Sequence, residues 1–126
     1  MDETMNPNPT ILVADDSRSV RVVVKQKLTQ SGFHVILAED GQDAVDQIVA
    51  CKPDAAVLDI NMPVLDGYGV CGRLEELGIE LPIVFLTGNG SNAVTLLGES
   101  FGAHLTKPVC GETLVQTIRD VIAIRN

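Results

Sequence analysis

Five times along this chain a short, β-rich apolar run is followed by a segment with helical periodicity, an alternation that builds parallel βαβ units rather than an antiparallel sheet. The runs are TILVA (10–14), HVILA (34–38), AAVLD (55–59), PIVFLT (82–87) and HLT (104–106). Strands covered by helices on both faces lack a polar side, and the first four runs lack alternation accordingly. HLT is short and weak. Val20, Val23, Val24 and Leu28 mark one face of a first helix stopped by Gly32, and Ala44, Val45 and Ile48 mark a second that Asp40 can cap. Val70, Cys71, Leu74 and Leu77 make a third helix ending at Gly78, and Leu114, Val115, Ile118, Val121 and Ile122 make the most regular one, the fifth. A fourth, capped by Ser91 and facing inward with Val94, Leu97 and Phe101, is weakened by Gly98 and Gly102, by roughly 1 kcal/mol each if interior.

At 126 residues and 45% hydrophobic content the chain makes one domain with a single core. MDETMNPNP (1–9) reads as a loose leader, with the domain occupying 10–126. A net charge of -8 would repel phosphate backbones, which argues against binding of nucleic acid or an anionic membrane. Cys51, Cys71 and Cys110 are odd in number and form no metal-binding pair, so they read as small hydrophobes in a reducing cytoplasm. The start of the chain lacks the basic flank and apolar core of an export signal, and no apolar run approaches the roughly eighteen residues of a membrane span.

In an open parallel sheet, functional groups collect at the carboxyl ends of the strands. Those ends carry Asp15 and Asp16, Asp59, Thr87, and Lys107 followed by Pro108. Each has an ordinary reading when taken singly: Asp16 or Ser17 as a helix cap, Asp59 as a turn residue, Thr87 as a β-former, Lys107 as a solvated charge. Coincidence at four strand ends outweighs them. Three converging carboxylates repel unless they hold a cation, and a hard oxygen set suits Mg²⁺, with Asp15 or Asp16, Asp59 and the Asn61 carbonyl as ligands. Lys107 and Thr87 add an ammonium and a hydroxyl. Together these groups meet the needs of a transferring phosphoryl group, with Asp59 as nucleophile.

In their order, VADDS, VLDINMPVLDG, FLTG and LTKP resemble the receiver domain of two-component response regulators, over roughly residues 10–124. The resemblance implies a doubly wound (βα)5, flavodoxin-like three-layer α/β sandwich with sheet order 2-1-3-4-5. It implies that Asp59 accepts a phosphoryl group from a histidine kinase or phosphotransfer protein, that Asp15, Asp16, Asp59 and Asn61 hold Mg²⁺, and that Thr87 and Lys107 read the phosphoryl group. Such a domain is no conventional enzyme, since it catalyses only its own phosphorylation and dephosphorylation. Further implications are a cis Lys107–Pro108 bond, a phosphoryl lifetime tuned by Asn61 and Asn89 with Gly88 leaving the solvent approach open, and a switching face of the fourth helix, fifth strand and fifth helix that could also pair two copies; a stand-alone receiver and one joined to an output domain beyond residue 126 both stay open. The sequence departs from the family at His104, which stands where an aromatic switch residue is usual, and in a short segment between Thr87 and Lys107.

Two rivals share parts of this pattern. A haloacid-dehalogenase phosphatase also pairs a nucleophilic Asp with Mg²⁺, but it needs a second acid two residues on, where Asn61 cannot protonate a leaving group. A flavodoxin-like FMN carrier needs a Ser, Thr or Gly-rich phosphate loop after strand one, where DDSRS begins with two acids.

Overall fold

The computed structural model describes residues 8–88 and 102–125. Most of the leader, Asn89, and the expected fourth helix with Ser91, Val94, Leu97, Gly98 and Phe101 lie outside the described residues. The elements run β1 (Thr10–Ala14), α1 (Arg18–Gln30), β2 (His34–Ala38), α2 (Gly41–Cys51), β3 (Ala55–Asp59), α3 (Gly67–Glu76), β4 (Ile83–Thr87), β5 (Gly102–Thr106) and α4 (Gly111–Arg125), the last being the helix expected as the fifth. All strand pairs are parallel, and the sheet order is β2-β1-β3-β4-β5, as expected.

Successive strand residues point to opposite faces, and this parity divides the core into two. Leu12, Ala14, Leu58 and Phe85 pack with Ala44, Val45 and Ile48 of α2 and Val70, Cys71 and Leu74 of α3. Ile11, Val13, Val57, Val84 and Leu86 pack on the other face with Val24 and Leu28 of α1 and Leu114 and Ile118 of α4. The three layers follow from that division. Every residue of β3 and β4 is buried, whereas β2 is an edge strand with only Ala38 fully covered.

Caps set the helix limits. Ser17 Oγ accepts the Val20 N–H, Asp40 accepts that of Asp43, and Asp66 accepts that of Gly69, so Ser17 rather than Asp16 caps α1. Gly32 and Gly78 follow the helix ends with positive φ, +94° and +72°, which a side chain would disfavour.

Three expectations need correction. Val23 is half exposed because the inward row of α1 runs through Val20, Val24 and Leu28, and its place on the helix lies about 100° from Val24. Leu77 is half exposed too, because α3 ends at Glu76 and turns away there. The fifth strand begins at Gly102, which pairs with Ile83, instead of at His104. Among the described residues no helix is long and apolar enough to cross a membrane.

Only Cys71 is a buried small hydrophobe; Cys51 and Cys110 are exposed. Burial, followed by the negative charges of Asp66 and Glu75, pushes the Cys71 thiol up to about 12. Native-state alkylation with iodoacetamide at pH 8, read by peptide mass spectrometry, should therefore modify Cys51 and Cys110 and leave Cys71 untouched until denaturant is added. A second prediction concerns Gly41, where a Cβ would overlap the main chain of Leu65. Gly41→Ala should lower stability by about 1–3 kcal/mol in urea unfolding, as overpacked sites do.

Candidate functional site

The register brings the strand ends level. Ala14 pairs with Leu58, Asp59 with Leu86, and Thr87 with Thr106, so Asp15, Asp59, Thr87 and Lys107 open on one edge of the sheet. The Asp15 N–H donates to the Ala38 carbonyl at 3.3 Å, and the Lys107 N–H donates to the Thr87 carbonyl at 2.8 Å. The ladder thus runs one residue beyond the strands and carries the candidate side chains with it. The Lys107–Pro108 peptide is cis.

Asp15 is wholly buried and Asp59 is 4% exposed. Lys107 Nζ lies 2.9 Å from Asp15 Oδ2 and 3.3 Å from Asp59 Oδ2. In each acid the other oxygen turns back to the main chain two residues on. Asp15 Oδ1 accepts the Ser17 N–H at 2.9 Å, and Asp59 Oδ1 accepts the Asn61 N–H at 3.2 Å. Asp15 Oδ2 meets the ammonium as an ion pair without an aligned hydrogen bond. Asp16, exposed at the rim, completes a trio in which one oxygen from each carboxylate lies within 4.8 Å of the others.

Electrostatics follow from this crowding. Burial raises the Asp59 pKa, the charge of Asp15 raises it further, and the Lys107 ammonium and the Asn61 N–H only partly offset them. Burial alone would lower the Lys107 pKa, but the close contact and charge of Asp15, joined by Asp59, hold it above the ordinary lysine value. One ammonium serves an acid cluster that still carries excess negative charge.

The loop from β3 to α3 presses against the nucleophile candidate. The Ile60 N–H donates to the Leu86 carbonyl at 3.0 Å, and the Gly67 N–H donates to the Ile60 carbonyl at 2.9 Å. A Cβ on Gly67 would stand 2.9 Å from the Asp59 carbonyl oxygen, so only glycine lets α3 begin there. Val64, at φ +71°, is a β-branched residue held left-handed at a cost of about 1–2 kcal/mol. Its turn is closed by the Leu65 N–H on the Pro63 carbonyl at 2.7 Å.

Of the other expected residues, Thr87 is buried at the crevice, Asn61 is exposed, and Gly88 is exposed, with none of the described residues within 4 Å of where a Cβ would stand. Asn89 lies outside the described residues. His104 is half-buried and stacks on Phe85, with centroids 5.0 Å apart and planes at 23°, while Tyr68 of α3 meets the Phe85 ring at 5.2 Å. That three-ring row and Arg21, whose Nη1 donates to the Asp15 carbonyl at 2.7 Å, are absent from the sequence expectations. Arg21's place one turn into the helix after the acidic pair was the available signal.

The family description "Response regulator receiver domain" matches residues 11–119. The chain belongs to the response regulator receiver family. Response regulator MprA of Mycolicibacterium vanbaalenii is 42% identical over 114 residues, which cover 89% of this chain and 49% of that protein. Response regulator MprA of Mycobacterium avium is also 42% identical, with 50% of its length covered. This receiver chain therefore spans about half the length of those relatives. Among solved structures, the Francisella response regulator 1452 receiver domain superposes with a TM-score of 0.87 at 29% identity, covering 94% of this chain and 100% of that one. Vibrio cholerae chemotaxis protein CheY4 gives 0.80 at 32% identity, covering 90% and 98%.

Because the folded pKa of Asp59 lies above its unfolded value, the folded chain binds the more protons between the two, and this site's contribution to stability falls as pH rises through that window. Asp59→Asn mimics the protonated acid. At pH 7 without divalent cation its melting midpoint should exceed that of the parent chain by a few degrees, the gap narrowing as the pH is lowered toward 4. A midpoint lower than the parent's at pH 7 would show the sign to be wrong.

Proposed function

We propose that Asp59 is the phosphoacceptor of this receiver domain and takes a phosphoryl group from the phosphohistidine of a sensor kinase or phosphotransfer protein. The observation that carries the proposal is the setting of Asp59 at the end of the central strand, with Oδ1 held by the Asn61 N–H and Oδ2 facing Lys107 beside Asp15.

A divalent cation fits the residues present. Asp15 Oδ2 is buried without an aligned hydrogen bond, three carboxylates each bring one oxygen within 4.8 Å of the others, and the donors are all hard oxygens, which suits Mg²⁺. Asp15, Asp16, Asp59 and the Asn61 carbonyl would hold it. Bound there, Mg²⁺ supplies neutralisation of the phosphoryl oxygens.

The chain's own residues do the rest. An Asp59 oxygen bonds to phosphorus while the P–N bond of the donor breaks and its electron pair returns to the imidazole nitrogen. Lys107, held charged by its acidic neighbours, keeps Asp59 ionised enough to attack and afterwards pairs with a phosphoryl oxygen. The Thr87 hydroxyl donates to another. Asn61 and Asn89 orient the hydrolytic water, and Gly88, with none of the described residues within 4 Å of where a Cβ would stand, leaves its approach clear. The new charge biases a two-state surface built from β5, α4 and the segment between β4 and β5, with His104 as its inner reporter. That surface can pair with a second copy or pass the signal to an output domain beyond residue 126. The excess negative charge assigns no nucleic acid or membrane to this domain, and the cytoplasm is its place of action. The phosphatase and flavin-carrier readings find no support in the family match.

Acetyl phosphate with Mg²⁺ should place one phosphoryl adduct on the chain, at Asp59 by peptide mass spectrometry. EDTA or Asp59→Asn should abolish it, and Asn61→Met should slow its decay. An adduct that forms in EDTA or persists in Asp59→Asn contradicts the assignment.

A further inference from the structure

Three of the four polar atoms of Asp15 are committed to the protein. Its N–H donates to the Ala38 carbonyl, its Oδ1 accepts from the Ser17 N–H, and its carbonyl accepts from Arg21 Nη1 at 2.7 Å. The fourth, Oδ2, is thereby aimed at the crevice, where it meets Lys107 and lies among the acid trio. Two of the three restraints are main-chain to main-chain or local to the turn. Arg21 alone of these partners is a side chain reaching back from α1, and its bond is short and charge-assisted. Its guanidinium engages a carbonyl, not a carboxylate. It therefore brings a permanent positive charge up to an overloaded acid cluster without occupying any oxygen that a cation would need.

We propose that Arg21 is a positioning residue that sets the affinity of the acid trio for its divalent cation, by holding the Asp15 main chain against the repulsion of Asp16 and Asp59. The proposal rests on the reading of Asp15, Asp16 and Asp59 as a Mg²⁺ site. Ligands crowded by like charge move apart unless their backbone is fixed, and partners that orient metal ligands typically change affinity by about 10–100-fold when removed. Lysine would replace the guanidinium fork with a single compact ammonium, so it should hold the carbonyl less well.

The test is isothermal titration of the full chain with MgCl₂, alongside the rate of labelling by acetyl phosphate as a function of Mg²⁺. Arg21→Ala should weaken Mg²⁺ binding about 10-fold, with Arg21→Lys between it and the parent chain. The half-saturating Mg²⁺ for labelling should rise in step, while the rate at saturating Mg²⁺ stays within about twofold, the signature of lost binding rather than lost chemistry. A side chain that only stabilises the fold would lower the melting midpoint and leave the Mg²⁺ affinity of the folded chain unmoved. Unchanged affinity in both variants, or a lower maximal rate at unchanged half-saturation, overturns the proposal. If Arg21→Ala fails to fold, Arg21→Gln, which keeps a donor without the charge, decides by the same two numbers. If the parent chain itself takes up no Mg²⁺, the metal-site reading falls and this proposal with it, a result distinct from failure of Arg21 alone.

Discussion

Two buried carboxylates share one ammonium at the carboxyl edge of a parallel sheet, and much of the molecule can be understood as what holds that arrangement together. A buried carboxylate without compensation is costly, so Asp15 and Asp59 each need partners. Lys107 faces both at 2.9 and 3.3 Å, and main-chain N–H groups of Ser17 and Asn61 take the remaining oxygens. With Asp16 at the rim, the cluster still holds more negative than positive charge. That residual imbalance is what the proposed cation site and the proposed phosphoryl group on Asp59 both rest on.

The sheet supplies the precision. Parallel register aligns the ends of β1, β3, β4 and β5, and bonds from Asp15 to Ala38 and from Lys107 to Thr87 extend the ladder through the site. The helices supply the walls. Gly67 allows α3 to start against the Asp59 main chain, while Gly41 admits Leu65 of the same loop against the start of α2. Val64 keeps its unfavourable dihedral because bonds on both sides of the loop over-determine it.

What the sequence displayed was local and periodic. TILVA, AAVLD and PIVFLT have the unbroken apolar character of strands covered on both sides, so their carboxyl ends, and with them Asp15, Asp59 and Thr87, could be placed without coordinates. The edge strand β5 was harder, while the other edge, β2, ran over 34–38 as expected. β5 is two residues longer than its apolar run, since Gly102 and Ala103 pair through their backbone and contribute little side-chain signal. Val23 was misread because valine suits either face of a helix pattern, and packing, not composition, decides between them. The Tyr68–Phe85–His104 row was invisible because it joins rings from different elements, through faces that no spacing rule encodes, whereas Arg21 left only the faint signal of its place one turn after the acidic pair, and its carbonyl partner could not be read from spacing.

The claim that the crevice is built to hold a phosphoryl group on Asp59 is most directly tested by ¹⁹F NMR of the chain mixed with beryllium, fluoride and Mg²⁺, since beryllofluoride mimics a phosphoryl group on a carboxylate. Bound resonances should appear for the parent chain, vanish on addition of EDTA and be absent from Asp59→Asn. A parent chain that shows only the signals of free fluoride species, or an Asp59→Asn chain that keeps the bound ones, would contradict it.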